Sequence, residues 1–464
     1  MESYRFDFRN PCHVFFIGIG GVSMSGLAAI LLKEGFRVSG SDMKESEFTR
    51  DLEEKGAKVY YGQKAENLAD DVDCAVFTAA IHPDNPEFLA CKERGIPMMT
   101  RAEFLGQLMR EYGCSIAVSG THGKTTTTGM LSHILTAAEK DPTISIGGVL
   151  PLIGGNIRIG GNQTFLLEAC EYTNSFLSFY PTMEIILNVE ADHLDFFKDL
   201  DDIRNSFHRF VGKLPEDGTV IISSEIRNYE EIVRGFPGRV ITVGHENADV
   251  TAEDIMLDEW ARPSFVPVVF GVRGERVSLK VPGIHNVGNA LAAIAAAHVL
   301  GIPQETVRDS IAGFGGVDRR FEIKGELDGV MIVDDYAHHP QEIEATLKAA
   351  LQCPHKTLWV TFQPHTYSRT KALMPEFAKA LSLAARVVLA EIYPARETDN
   401  LGVHSSDVAA LINASEPGKA VALPSFEKIE TYLLENLSPG DLCITMGAGD
   451  VYIIGENLLG KANA

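Results

Sequence analysis

Short apolar runs bounded by glycine or polar residues recur along the whole chain, and most are followed by a stretch with helical spacing. In the first hundred residues HVFFIGIG leads into Ser25 to Glu34, and FRVSGSD and DVDCAVFTAAI follow. A continuous apolar run of this length predicts a strand buried on both faces, and the alternation with helices predicts βαβ units on a parallel sheet. A second series opens with CSIAVSG (Cys114 to Gly120), where an apolar run meets a glycine turn and a threonine-rich helix start. It continues through TFLLEAC, MEIILNV and TVIISSE. From Asp249 to Val281 strand-like runs crowd together with few helix signals, which reads as a small strand-rich insertion or edge. The alanine-rich stretch NALAAIAAAHVLG (Asn289 to Gly301) then predicts a helix closed by a C-terminal glycine.

The rhythm changes at GFGGVDRRFE (Gly313 to Glu322), which reads as a hinge. Beyond it GVMIVDDY, TLWVTFQP, RVVLAEIY and DLCITMGAGD form a third strand-and-helix series. The expected fold class is therefore α/β in three domains: residues 1–109, 110–317 and 318–464. A length of 464 residues fits that count, because single cores stop growing well before it.

Charge narrows the partners. With 63 acidic against 41 basic residues and a formal charge of -22, the overall field repels nucleic acid and anionic membranes. An anionic substrate must be held by local devices such as glycine loops, helix N-termini, metal ions and a few arginines. The seven cysteines are scattered, with no CxxC pair, and predict reduced thiols in a cytoplasmic protein. No run is long enough to span a bilayer and the N-terminus lacks the order of a signal peptide, so no membrane partner is expected.

VSGTHGKTTTT (Val118 to Thr128) carries the strongest chemical signal. After a strand and before a helix, Gly120, Thr121, His122 and Gly123 let backbone N–H groups close around phosphate. Lys124 brings positive charge, and the Thr125 hydroxyl suits Mg2+. Two residues rather than four separate the glycines, so this is a shortened form of the general phosphate loop. The first glycine loop, GIGGVSMSG (Gly18 to Gly26), suits a diphosphate at a helix N-terminus, with Asp42 at the distance of a ribose-binding acid. Its spacing departs from the dinucleotide pattern, and which nucleotide it serves stays open.

Mg2+ on a triphosphate needs few protein oxygens, so Glu168 at a strand end would suffice beside Thr125, with Glu171 one turn later in support. His193 in NVEADHLD is either a second metal ligand or a structural histidine. VDDYAHHP (Val333 to Pro340) and FQPHTYSRT (Phe362 to Thr370) place polar side chains after two strands, where α/β sheets bind ligands. Arg369 offers a fork for a carboxylate or phosphate, or a structural ion pair.

The order GIGGVSMSG, GTHGKTTTT, EACEYTNSF, EADHLD, HNVGNALAA, DRRFE, DDYAHHP and FQPHTYSRT resembles that of the Mur ligase family, and within it the branch that adds L-alanine. The resemblance runs from Gly18 to Thr370 and across all three domains. It implies a Rossmann-like first domain for a UDP sugar, a central ATPase domain and a Rossmann-like third domain, with closure assembling the site. Gly18, Gly20, Gly21, Ser23, Met24, Ser25, Ser41 and Asp42 would face the UDP sugar. Gly120 to Thr126 would hold ATP, with Lys124 on its phosphates; Thr125, Glu168 and His193 would hold Mg2+. His285, Asn286 and Asn289 would contact adenine, Arg320 the phosphates, and Asp335 and Tyr336 the nucleoside. His338 and Arg369 would face the incoming amino acid.

The implied reaction is ATP-dependent addition of L-alanine to UDP-N-acetylmuramate through an acyl phosphate, by a monomer or weak homodimer. A ligase adding an intact tripeptide to the same sugar is the nearest alternative. A nicotinamide oxidoreductase would use the first glycine loop alone and leave GTHGKTTTT unexplained. Three features depart from the family pattern, one of them the stretch CEYTN after Glu168, which stands where relatives are Asp-rich and leaves Glu171 as the remaining acid. Ser23 stands where the loop often has glycine, and Thr366 stands where many relatives have arginine, which removes a positive charge near the substrate.

Overall fold

The computed structural model of the chain describes residues 4–78, 81–191, 196–244, 246–395 and 397–462. Backbone contacts divide it into two compact units, residues 1–252, 267–275 and 288–311 in the first and 253–266, 276–287 and 312–464 in the second.

The first unit holds two sheets. Strands β1 (His13–Ile17), β2 (Arg37–Asp42), β3 (Lys58–Tyr61), β4 (Cys74–Phe77) and β5 (Met98–Thr100) are parallel and lie in the order β3-β2-β1-β4-β5. Every residue of β1 is buried, because helices cover both faces of a parallel sheet. The order reverses between β1 and β4, so their C-terminal ends frame a crevice.

The second sheet of this unit is built on β6 (Cys114–Ser119), β7 (Thr143–Leu150), β8 (Gly155–Arg158), β9 (Thr164–Glu168), β10 (Met183–Ile186), β11 (Thr219–Ser223) and β12 (Arg239–Val243). They run in the order β8-β7-β9-β6-β10-β11-β12. Strand β6 sits between β9 and β10, parallel to both. The expected strand-rich stretch is there: β13 (Val250–Leu257) joins β12 at Val243 and Val250, and β14 (Pro263–Val269) pairs with β15 (Val272–Arg273) and β16 (Val277–Ser278).

The two sheets of this unit share one hydrophobic core that includes Phe16, Phe104, Phe165, Phe176 and Phe207. Two helical glycines permit the close approach. A Cβ on Gly26, in the helix Val22–Lys33, would collide with the Ile157 side chain of β8, and one on Gly106 would collide with the Ser178 carbonyl. Glycine inside a helix costs about 1 kcal/mol relative to alanine, and here the cost is offset by packing that no larger residue allows.

The second unit carries β17 (Glu322–Leu327), β18 (Val330–Asp335), β19 (Leu358–Phe362), β20 (Arg386–Leu389), β21 (Ala420–Ala422) and β22 (Leu442–Met446), in the order β17-β18-β22-β19-β20-β21. Only the edge strand β17 is antiparallel in this sheet. Separate apolar clusters cover its two faces, one around Phe362 and Phe377, the other around Trp359 and Leu433. All seven cysteines are free thiols. Among the described residues no helix is long and apolar enough to cross a membrane.

Candidate active site

Three neighbouring strands of the central sheet end at one place. Strand β6 runs into Gly120, and the helix Lys124–Ala137 begins four residues later. Gly120 and Gly123 have φ of 132° and 83°, which L side chains rarely adopt. A Cβ on Gly123 would also strike the Asn289 amide, so the loop turns with no room for a side chain and offers its backbone instead. This cradle fits a phosphate chain.

Lys124 curls back over the loop. Its ammonium donates to the carbonyls of Gly120 and Thr121, the latter at 3.0 Å, and to Glu171 Oε2 at 3.1 Å. Glu171 is buried and Lys124 largely so. Burial alone would lower the lysine pKa, but Glu171, Cys170 and Glu168 outweigh it and hold the ammonium above its ordinary value. Lys124 is therefore a fixed positive charge at the mouth of the cradle. Thr125 is buried one residue on, and Glu168 ends β9 with its carboxylate against Gly147, where a Cβ would overlap it.

Asn188, which the sequence reading passed over, clamps the loop from β10. Its Oδ1 accepts from His122 N at 2.7 Å, its Nδ2 donates to His122 O at 3.0 Å, and its carbonyl accepts from Thr121 N at 3.2 Å. Thr121 Oγ1 in turn accepts from Glu190 N at 3.0 Å. Its position directly after an apolar strand was the available signal. His193 lies outside the described residues. Below the loop, Glu184 on β10 is fully buried, and Ser119 Oγ meets its Oε1 at 3.4 Å. Burial raises its pKa well above the ordinary glutamate value, opposed by the hydrogen bond from Ser119, and so favours its neutral form.

In the first sheet Gly18 (φ 86°) follows β1 at the crevice, and a Cβ there would press on Thr78 after β4. Gly18 N and Ile19 N donate to Ser41 O, Gly20 N to Asp42 Oδ2 at 2.9 Å, and Gly21 N to Gly18 O. Asp42 thus braces the loop itself. Ser41 Oγ donates to the buried Glu87, and Met24 and Ser25 are buried in the first helical turn. Ser23 Oγ accepts from Arg101 at 3.1 Å.

In the second unit β18, β19, β20 and β22 deliver the loops at their C-terminal ends. Asp335, buried at the end of β18, accepts from Phe321 N and Ala337 N, both at 2.8 Å. Burial raises its pKa to about 6, against the pull of Arg320 and those two N–H groups, with Glu342 adding to the rise. Arg319 is the structural arginine of the pair: it donates to the buried Asp334 at 2.9 Å and to Gly447 O at 2.6 Å. Arg320 lies over the Tyr336 ring at 5.5 Å. Asn286 donates to Pro282 O at 2.7 Å at the start of the helix His285–Val299, and Asn289 in that helix packs on Gly123.

His338 and His365 meet edge to face at 5.9 Å, and His365 stacks on Tyr393 at 5.6 Å. Burial lowers the pKa of His338, helped by Arg369 and His365 and opposed by Glu342 and the Tyr336 carbonyl, so its ring is neutral near pH 7. Arg369 donates to His365 O at 3.1 Å. The Glu397 carboxylate, also missed from sequence, accepts from Thr366 Oγ1 at 2.6 Å, Ser368 N at 3.0 Å and Ser368 Oγ. Those hydrogen bonds lower its pKa although burial acts the other way. Among the described residues no cluster of three or more His, Cys, Asp or Glu side chains could hold a metal.

Three family models match successive segments: the Mur ligase family catalytic domain over residues 13–113, the Mur ligase middle domain over 118–297, and the Mur ligase glutamate ligase domain over 319–449. A relative from Lachnospira eligens, named UDP-N-acetylmuramate--L-alanine ligase, is 56% identical over 98% of this chain and 100% of its own. The chain belongs to the Mur ligase family. Another relative of the same name, from Clostridium novyi, is 49% identical over 98% of this chain and 99% of its own. Two solved structures of Mur-type ligases have the same fold. The UDP-N-acetylmuramate-alanine ligase of Thermotoga maritima has TM-score 0.80 and 30% identity, covering 97% of this chain and 99% of that one. A murein peptide ligase of Psychrobacter arcticus has TM-score 0.71 and 26% identity, covering 97% and 98%. The three-domain α/β fold and an ATP-dependent ligase activity are those of the Mur ligases.

Proposed function

We propose that this Mur ligase joins L-alanine to the carboxylate of UDP-N-acetylmuramate in the cytoplasm, consuming ATP, within domains bounded at residues 109/110 and 317/318. The observation that carries the chemistry is the glycine cradle at Gly120 to Gly123 with the Lys124 ammonium fixed across it. The names of the full-length relatives at 48 to 56% identity support the substrates.

The γ-phosphoryl group of ATP would pass to the sugar carboxylate, giving an acyl phosphate that the alanine amine attacks with loss of phosphate. Two anions must approach, so catalysis is chiefly positioning and charge neutralisation. The Lys124 ammonium held over the cradle supports a role in neutralising the transferred charge. Mg2+, held by Thr125 and Glu168 with His193 in reserve, would add Lewis-acid stabilisation of the phosphate oxygens. Thr126, Asn289, His285 and Asn286 are proposed ATP contacts, with Arg320, Asp335 and Tyr336. In the second unit the neutral His338 ring can accept a proton from the alanine ammonium, while Arg369 holds the amino-acid carboxylate.

Mass analysis of products after incubation with ATP, Mg2+ and UDP-N-acetylmuramate tests the reading. L-alanine as the amine should yield the sugar nucleotide heavier by one alanyl residue. Product formed only from an intact tripeptide would assign a recycling role instead.

A further inference from the structure

Arg101 is the first residue of the helix Arg101–Met109 and follows β5 directly, at the end of the sheet where Gly18 and Thr78 flank the crevice. Arg101 is partly buried, and the hydrogen bond to Ser23 Oγ at 3.1 Å places its guanidinium on the first turn of the helix Val22–Lys33. Among the described residues no carboxylate pairs with it, although acids outnumber bases in this chain 63 to 41. A partly buried arginine without an acid leaves charged N–H donors that an anion can complete. The glycine loop meanwhile has little charge to give. The N–H groups of Gly18, Ile19, Gly20 and Gly21 are committed internally, and Asp42 brings a carboxylate to the same loop.

We infer that Arg101, carried to the glycine loop by Ser23, is the residue that binds the diphosphate of the sugar nucleotide. The inference rests on the proposed sugar-nucleotide substrate. Its planar fork can grip phosphate oxygens with the N–H groups that Ser23 does not use. Ser23 then has a purpose at a position where glycine would leave the arginine unguided.

Titration of the full chain with UDP, with UMP and with UDP-N-acetylmuramate, for the parent protein and for Arg101→Gln and Arg101→Lys, tests it. ATP binding at the phosphate loop of the same unit serves as the control for folding. Arg101→Gln should weaken UDP roughly 10- to 100-fold, the loss expected for charge-assisted hydrogen bonds, and UMP by less than about threefold. Arg101→Lys should recover part of the UDP loss, with ATP binding unchanged throughout. Unchanged UDP affinity in Arg101→Gln overturns the assignment, as does an equal loss for UMP and UDP. A loss confined to UDP-N-acetylmuramate, with UDP unaffected, would move Arg101 to the sugar carboxylate and also overturn it. If the parent protein binds neither UDP nor UMP, the sugar-nucleotide reading itself fails.

Discussion

Lys124 and Glu171 form a buried pair at the mouth of the phosphate cradle, and each has a separate consequence. Lys124→Ala should lower turnover by roughly a thousandfold or more, because its charge is proposed to act on the transferred phosphoryl group. Sugar-nucleotide affinity, measured by titration, should change little, since the glycine loop proposed for that ligand lies in the other sheet. Glu171→Gln leaves a buried ammonium without its counter-charge, which costs about 3 kcal/mol and should appear in a denaturant melt. Glu184 makes a pH-dependent prediction. Its folded-state pKa is raised far above the unfolded value near 4.5, so the unfolded chain ionises first as pH rises and the folded protein loses stability above that pH. Glu184→Gln cannot ionise. Its melting temperature should therefore match the parent near pH 4 and exceed it increasingly toward pH 8; a constant difference across that range would contradict a neutral Glu184. The chemistry legible in sequence at this scale was the contiguous kind, GTHGKTTTT and GIGGVSMSG. Asn188, Glu397 and Arg101 were not, because each meets its partner only through tertiary contact, 66, 31 and 78 residues away along the chain.

At the scale of elements, strand ends position everything that matters. The loop after β6 is tied to β10 by Asn188, so Asn188→Ala should raise the KM for ATP by roughly tenfold, the worth of one or two lost hydrogen bonds to a strained loop, with the fold intact. In the second unit Glu397 ties the segment His365 to Arg369 from the loop after β20. Steady-state kinetics of Glu397→Gln should show a KM for alanine raised several-fold with the KM for ATP unchanged; equal increases in both would mean a general loss of structure. Because the Glu397 pKa is lowered in the folded state, its hold persists above the unfolded value and weakens as pH falls through the folded one. The βα rhythm was read correctly from periodicity because both faces of these strands are covered, making each a continuous apolar run. Sheet order was not readable, since β9 and β10 flank β6 through long connections that leave no local trace.

For the molecule as a whole, the strongly negative charge and the anionic substrates are reconciled by a few fixed cations. Lys124, Arg101 and Arg369 stand on separate helices that follow β6, β5 and β19, and each is proposed as a local cation in a field that would otherwise repel phosphate and carboxylate. The family could be read from the order of motifs along the chain, and the matches over residues 13–113, 118–297 and 319–449 agree with it. The central claim is that ATP cleavage is tied to joining a carboxylate to an amine. Phosphate release from ATP and Mg2+ should therefore be measured with UDP-N-acetylmuramate and L-alanine supplied together and singly. Release that requires both, one phosphate per alanine incorporated, is the predicted result; equal release with neither present would contradict the claim.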